Sequence, residues 1–238
     1  MTDKTSAKTY RITVQRTPRN GHAETTYAVS LSNPKARLLD ALLNIRQHQD
    51  PSLGFRFSCR VGMCGSCAVV VNGRERLACQ VGVATLGTDI RVAPLRSLPV
   101  KRDLVPDMTP FFDAMKRSHA ALIPNEPDLR EIRTMPPGER KRATIEAQNG
   151  CITCGACFSA CEWTRTHPGY IGPAALNRVL MLSLDERDAR GPERLKQAAS
   201  VDGVLRCHTL GNCSVVCPVD VPLKTGMQRL KGLVSRQA

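Results

Sequence analysis

Eleven cysteines fall into three groups along a chain of 238 residues, and their spacing defines the chemistry open to them. The first group is Cys59-x4-Cys64-x2-Cys67, with Cys79 further on. That spacing holds a 2Fe-2S cluster through four thiolates. Gly62 and Gly65 let the loop backbone fold close to the sulfurs, so that its N–H groups can donate to them. A zinc site or plain burial of the thiols are the alternatives, although zinc prefers ligand pairs separated by a longer spacer.

The second group is Cys151-x2-Cys154-x2-Cys157-x3-Cys161, and the third is Cys207-x5-Cys213-x3-Cys217-Pro218. Both follow the two-cluster run C-x2-C-x2-C-x3-C-P, whose fourth cysteine crosses to the other cluster. Cys151, Cys154 and Cys157 with Cys217 are thus expected to hold a 4Fe-4S cluster. In the third group Leu210 stands where the middle cysteine belongs, which leaves Cys207, Cys213 and the crossing Cys161. Three thiolates suit a 3Fe-4S cluster, because an aliphatic side chain cannot ligate a fourth iron. Every cysteine is then assigned, and no thiol remains for nucleophilic catalysis.

Composition bounds what can position these ligands. Hydrophobic residues make up 42% and charged residues 23%, ordinary globular values that exclude disorder and repeat rods. Aromatics are only 4%, so the core must be built from Leu, Val, Ile and Ala around whatever the cysteines hold. No stretch approaches the ~20 apolar residues that span a bilayer, and Met1 to Tyr10 lacks the apolar core of a leader. The expectation is a chain that stays in the cytoplasm, where structural disulfides are rare. The net charge of +13 divides as +8 over residues 1–100 and +5 over the remainder, with no run of five or more basic residues and no aromatics interleaved with a basic stripe. Nucleic acid is therefore not expected as a partner. Eleven thiolates around cluster cores would cancel about 6 units of that charge.

Residues 8 to 31 alternate as a hairpin, with Tyr10, Ile12 and Val14 on one face and a tight turn at Asn20-Gly21. Asn33-Pro34 is expected to open a helix whose apolar stripe is Leu38, Leu39, Leu42, Leu43 and Ile45. Asn72-Gly73 joins a second hairpin, Ala68 to Val71 and Arg74 to Cys79, and Ile90 to Ala93 closes the sheet. Eight prolines between Pro94 and Pro137 mark a change of texture, with a short helix near Met108 to His119 and a domain junction near Val100. Helical patterns follow at Arg140 to Gln148, at Ala174 to Leu184, which is apolar nearly all round, and at Pro222 to Arg236.

These pieces, with the runs Cys59-Arg60-Val61-Gly62-Met63-Cys64-Gly65-Ser66-Cys67, Asp103-Leu104-Val105, Tyr170-Ile171-Gly172-Pro173-Ala174, Ser183 to Arg190 and Arg206-Cys207-His208-Thr209-Leu210, resemble the iron-sulfur subunit of succinate dehydrogenase and fumarate reductase. The likeness runs from about residue 8 to residue 235. It implies an α+β chain: a β-grasp plant-type ferredoxin domain over residues 1–100 and an all-α helical ferredoxin domain over residues 101–238. It also implies an FAD-containing flavoprotein partner, one or more membrane anchor subunits and a quinone. The chain would then sit peripherally on the cytoplasmic face of the inner membrane, with no dicarboxylate chemistry of its own. The resemblance places His208, Leu210, Lys231 and Trp163 near the quinone. A packed histidine and a solvated lysine, on the polar face with Lys224 and Gln228, are the other readings of His208 and Lys231. Ubiquinone-linked members carry a tryptophan where this chain has Thr166, and many carry proline where it has Glu162. An ionised, inward-facing Glu162 would lower the potential of the 3Fe-4S site, the other reading being a surface Glu162 with Trp163 packed at an interface. These departures keep open a paralogous complex with another acid substrate or another electron acceptor.

Overall fold

The computed structural model describes residues 7–17, 23–125, 134–136 and 138–236. The chain divides into two compact units: residues 1–108 with 152–156, and residues 109–151 with 157–238. The Asn20-Gly21 turn lies outside the described residues.

The first unit is built on a sheet. Strands β1 (Lys8–Arg16) and β2 (Ala23–Leu31) pair antiparallel, Lys8 opposite Leu31 and Arg16 opposite Ala23, and bury Tyr10, Ile12, Val14, Tyr27 and Val29. Helix α1 (Leu38–His48) buries Leu38, Leu39, Ala41, Leu42 and Ile45. Strands β3 (Ala68–Val71) and β4 (Arg74–Leu77) flank Asn72 and Gly73, whose positive φ of 46° and 82° is the two-residue turn that the pair favours. Strand β5 (Asp89–Ala93) completes the sheet in the order β2-β1-β5-β3-β4. Two short strands, β6 (Val100–Arg102) and β7 (Val105–Pro106), form a separate ribbon.

One detail differs from expectation. Asn33-Pro34 opens a turn rather than the helix: the Asn33 side chain accepts the Lys35 N–H at 2.9 Å. Backbone bonds then hold Arg37 extended against Gly82, with Leu38 N donating to Val81 O at 3.0 Å. The helix starts only at Leu38, with the Asp40 carboxylate accepting the Arg37 N–H at 2.7 Å as an N-terminal cap. Strand β5, expected to close the sheet, does so from inside it, parallel to β1 and antiparallel to β3. Period-2 alternation tells which face of a strand is buried but not which strand lies beside it.

Asp103, 2% exposed, explains its marker run. Its carboxylate accepts Arg16 Nε at 3.0 Å, Thr17 N at 2.9 Å and Gly54 N at 2.7 Å, tying β1 and the loop before the first cysteine to the β6–β7 turn. Arg16 also pairs with Asp50, whose carboxyl lies well below the usual carboxylate range, first through the Ser52 hydroxyl and then the Tyr27 phenol.

The second unit is helical: α2 (Thr109–Arg117), α3 (Arg140–Asn149), α4 (Ala156–Ser159), α5 (Glu162–Thr166), α6 (Gly172–Leu184), α7 (Gly191–Ala198), α8 (Asn212–Val215) and α9 (Leu223–Val234). Residue 156, which opens α4, is grouped with the first unit. Helix α6 is the axis, buried on nearly every side and packed by α2, α3, α7 and α9. Its Leu176, Val179 and Leu180 meet Met227, Leu230 and Val234 of α9, each worth roughly 1.5–3 kcal/mol of burial. After α6 the marker run Ser183 to Arg190 turns to hold the segment around Ile123. Asp188 pairs with Arg194 through two bonds of 3.0 and 2.8 Å, both side chains fully buried. Arg194 also donates to Ala121 O at 2.6 Å, and Asp188 accepts the Ile123 N–H at 3.2 Å.

Candidate metal centres

The loop of the first unit that carries Cys59, Cys64 and Cys67 is wound by three left-handed residues, Arg60, Gly62 and Gly65, with φ of 61°, 80° and 68°. At Gly62 a Cβ would sit 2.6 Å from the Gln80 side chain, and at Gly65 one would sit 2.7 Å from the Cys154 Cβ, so neither position admits a side chain. The winding brings Cys64 N–H to within 3.3 Å of Cys59 Sγ, and the Ser66 hydroxyl to 3.1 Å from Cys64 Sγ. The last two cysteines sit where the β3–β4 ribbon opens, Ala78 N donating to Cys67 O at 3.0 Å one residue before Cys79. Cys67 and Cys79 are buried, whereas Cys64 is exposed. Environment divides the thiols accordingly: the Ser66 hydrogen bond, with the Cys59 contact behind it, brings Cys64 down to about 6, and burial pushes Cys67 up to about 12. Strand β4 ends at Leu77, so Cys79 lies on the turn that follows and not within the strand.

The run Cys151 to Cys161 is wound in the same manner. Thr153 and Gly155 take positive φ of 52° and 82°, and Cys154 and Cys157 are buried. Cys161 precedes α5 as its N-terminal flanking residue. In the third group Thr209 and Gly211 take positive φ of 59° and 91°; Gly211 opens α8, which carries Cys213. Backbone donors meet these sulfurs too, Thr209 N to Cys207 Sγ at 3.3 Å and Val221 N to Cys217 Sγ at 3.3 Å.

Cys161, Cys207 and Cys213 line one small cavity, together with Tyr170, Trp163 and Leu210. Burial raises the Cys161 thiol and pushes that of Cys213 up to about 11, so neither would ionise near neutral pH without a cation to bind. Leu210 is 68% exposed at the rim of this cavity and offers no donor atom. Trp163 packs its ring against His167 at 4.7 Å and His208 at 4.9 Å, with the Arg206 guanidinium 5.5 Å from it. Lys231 reaches across from α9 to donate to the Cys207 carbonyl and, at 3.3 Å, to the Thr209 hydroxyl, so its ammonium braces the loop of the third group. Periodicity, which placed Lys231 on a polar face with Lys224 and Gln228, carries no signal for that reach. The Glu162 carboxylate does not point inward: it is more than half exposed and paired with Arg165 one turn along α5. Among the described residues no three His, Cys, Asp or Glu side chains converge on the geometry of one metal ion. Ligands of a cluster sit on different irons and stand further apart.

Sheet and helical unit thus carry cysteine-rich loops, wound by left-handed residues and supplied with backbone donors at sulfur, which defines an iron-sulfur electron-transfer protein. A family profile described as "2Fe-2S iron-sulfur cluster binding domain" matches residues 8–113, and one described as "4Fe-4S dicluster domain" matches residues 147–221. The fumarate reductase iron-sulfur subunit of Escherichia coli O157:H7 is 34% identical over 227 residues, covering 93% of this chain and 88% of that one. The succinate dehydrogenase iron-sulfur subunit of Paracoccus denitrificans is 36% identical over 196 residues, covering 81% and 74%. A chain in the structure titled "Mycobacterium smegmatis Sdh1 complex in the apo form" superposes with a TM-score of 0.89 at 26% identity, over 98% of both chains. The chain belongs to the family of succinate dehydrogenase and fumarate reductase iron-sulfur subunits, and its work is electron transfer.

Proposed function

We propose that the chain relays electrons between an FAD-containing flavoprotein subunit and a quinone held with one or more membrane anchor subunits, in a complex that interconverts succinate and fumarate. The observation that carries this reading is the cavity of Cys161, Cys207 and Cys213, with aliphatic Leu210 at its rim and no cysteine in that place. Three thiolates without a fourth donor fit a 3Fe-4S cluster, and that cluster type suits the quinone end of a graded relay. Cys59, Cys64, Cys67 and Cys79 would hold the 2Fe-2S cluster, and Cys151, Cys154, Cys157 and Cys217 the 4Fe-4S cluster. In this reading residues 1–100 are a β-grasp ferredoxin domain and residues 101–238 a helical ferredoxin domain. When bound, the clusters supply the one-electron steps.

The protein's own part is placement and potential. Each ligand set has a backbone N–H 3.3 Å from one of its sulfurs, from Cys64, Val221 and Thr209 respectively. Such donors stabilise the more negative, reduced state. Lys231 holds the Cys207 loop, and Trp163 and His208, in ring contact beside the cavity, offer a flat apolar wall and a hydrogen-bonding nitrogen to a quinone head group. Trp163 stands one helical turn before Thr166, the position of the tryptophan in ubiquinone-linked members, and it supplies an indole at the cavity that Thr166 cannot. Among the described residues no helix is long and apolar enough to cross a membrane. The proposed place is accordingly peripheral, on the cytoplasmic face of the inner membrane.

Because Glu162 faces outward to Arg165, its charge is screened by solvent and partner. Glu162→Gln is expected to move the 3Fe-4S midpoint by no more than ~20 mV in a redox titration, within what an exposed pair is worth. The relay itself is tested by purifying the tagged chain in mild detergent from its own membranes. A co-purifying flavin subunit, succinate-dependent quinone reduction, about nine to ten iron atoms per chain and an oxidised-state three-iron EPR signal are expected. Three clusters without dicarboxylate activity would replace the substrate with whatever that flavoprotein oxidises. A zinc-bearing, EPR-silent preparation would overturn the reading entirely.

A further inference from the structure

Tyr170 is 1% exposed, and its phenol oxygen is enclosed in the part of the helical unit where Cys161, Cys207 and Cys213 face their cavity. The residue is fixed from both sides. Tyr170 N donates to His167 O at 3.0 Å and Ile171 N to Asp202 O at 3.1 Å. Gly172 follows with φ of 79°, where a Cβ would meet the Phe158 ring at 2.8 Å, so the turn has little room to shift. The ring packs into the core beside Leu176, Val204 and Met227. A buried phenol must find an acceptor. Tyr170 lines the same cavity as Cys161, Cys207 and Cys213, and the Cys207 side chain is the acceptor within its reach.

We infer that the Tyr170 hydroxyl is a built-in donor to the Cys207 sulfur and raises the reduction potential of the three-iron site. The inference rests on the proposed ligation of that site by Cys161, Cys207 and Cys213. Adding an electron increases the negative charge on the ligand sulfurs, and a fixed O–H dipole aimed at one of them stabilises the reduced state more than the oxidised one. Tyr170 thereby adds a side-chain donor to the Thr209 N–H on the same sulfur, which is 3.3 Å away. Tyr170 acts through Cys207 and is a positioning residue, not a catalytic one.

The test is Tyr170→Phe in the assembled complex, read by EPR-monitored potentiometry. The three-iron signal should persist, with an electron-binding constant about tenfold weaker, which is a midpoint lower by about 59 mV for one electron. The 2Fe-2S midpoint should not move, because Cys59, Cys64, Cys67 and Cys79 belong to the other unit and none of them shares the cavity that Tyr170 lines. A three-iron signal with an unchanged midpoint would overturn the inference. A wild-type complex lacking any three-iron signal would instead overturn the ligation on which it rests. Should Tyr170→Phe not assemble the cluster, replacing the three tyrosines with 3-fluorotyrosine keeps the packing and strengthens the donor. The three-iron midpoint should then rise, and its failure to move would count against the hydrogen bond.

Discussion

Asp188→Ala is expected to cost the helical unit about 3–5 kcal/mol, enough to consume much of a typical domain's stability of ~5–15 kcal/mol. The loss comes less from the attraction removed than from what remains: Arg194, fully buried, would keep a charge with only the Ala121 carbonyl to face. The segment around Ile123 would also lose the carboxylate that accepts its N–H. Denaturant unfolding followed by circular dichroism measures the effect, and a cost below about 1 kcal/mol would refute the assignment. Replacing both partners, Asp188→Leu with Arg194→Met, should recover most of it, since an apolar pair of similar volume leaves no stranded charge. The sign of the pH dependence follows. Burial alone would raise the Asp188 carboxyl, but the Arg194 hydrogen bond and the backbone donors of Arg190 and Ile123 outweigh it and hold the carboxyl below its ordinary value. The pair's contribution is therefore complete above about pH 4 and drains away as the pH falls through the folded-state pKa.

Cys213→Ser should abolish the three-iron EPR signal and quinone reduction together while leaving the 2Fe-2S signal intact. A serine oxygen is a harder ligand than a thiolate and sits on a shorter arm, so a site with only three donors has none to spare. The proposed 2Fe-2S ligands, Cys59, Cys64, Cys67 and Cys79, belong to the sheet unit, and electrons should still reach them from the flavin side. Activity in membranes is expected to fall by more than about 100-fold, as when a one-electron relay loses a member. Retention of the signal in Cys213→Ser would remove Cys213 from the ligand set.

What could be read without coordinates was what is local. Cysteine spacing states which thiols fall within one loop, and Asn72-Gly73 specifies its own turn through two positive φ angles. The all-round apolar run at Ala174 to Leu184 names a central helix because no other place would bury every side. Tertiary reach was invisible. Nothing around Lys231 signals that α9 braces the Cys207 loop, whereas the i,i+3 spacing of Glu162 and Arg165 is a local signal for their pairing on the helix surface. Asn33-Pro34 carries the marks of both a turn and a helix start, and only the extended pairing of Arg37 with Gly82 decides between them. Tyr170 stood inside a recognisable run, but its burial with three sulfurs needs three chain segments folded together.

The placement of β5 also sets an order of events for a newly made chain. The β1–β2 and β3–β4 ribbons pair strands close in sequence, but in the sheet β1 and β3 are joined only by β5, whose Asp89 pairs with Arg11 across 78 residues. Closing so long a loop is the slow step in chain-entropy terms. All four cysteines of the first group are synthesised, and two of them flank a locally formed ribbon, before residue 89 exists to zip the sheet shut. Pulse-labelled hydrogen exchange should accordingly find amides of the β1–β2 and β3–β4 ribbons protected before those of β5, with simultaneous protection as the contrary result. Metal loading then has a natural interval, between the birth of the ribbon and the arrival of the strand that locks it in place.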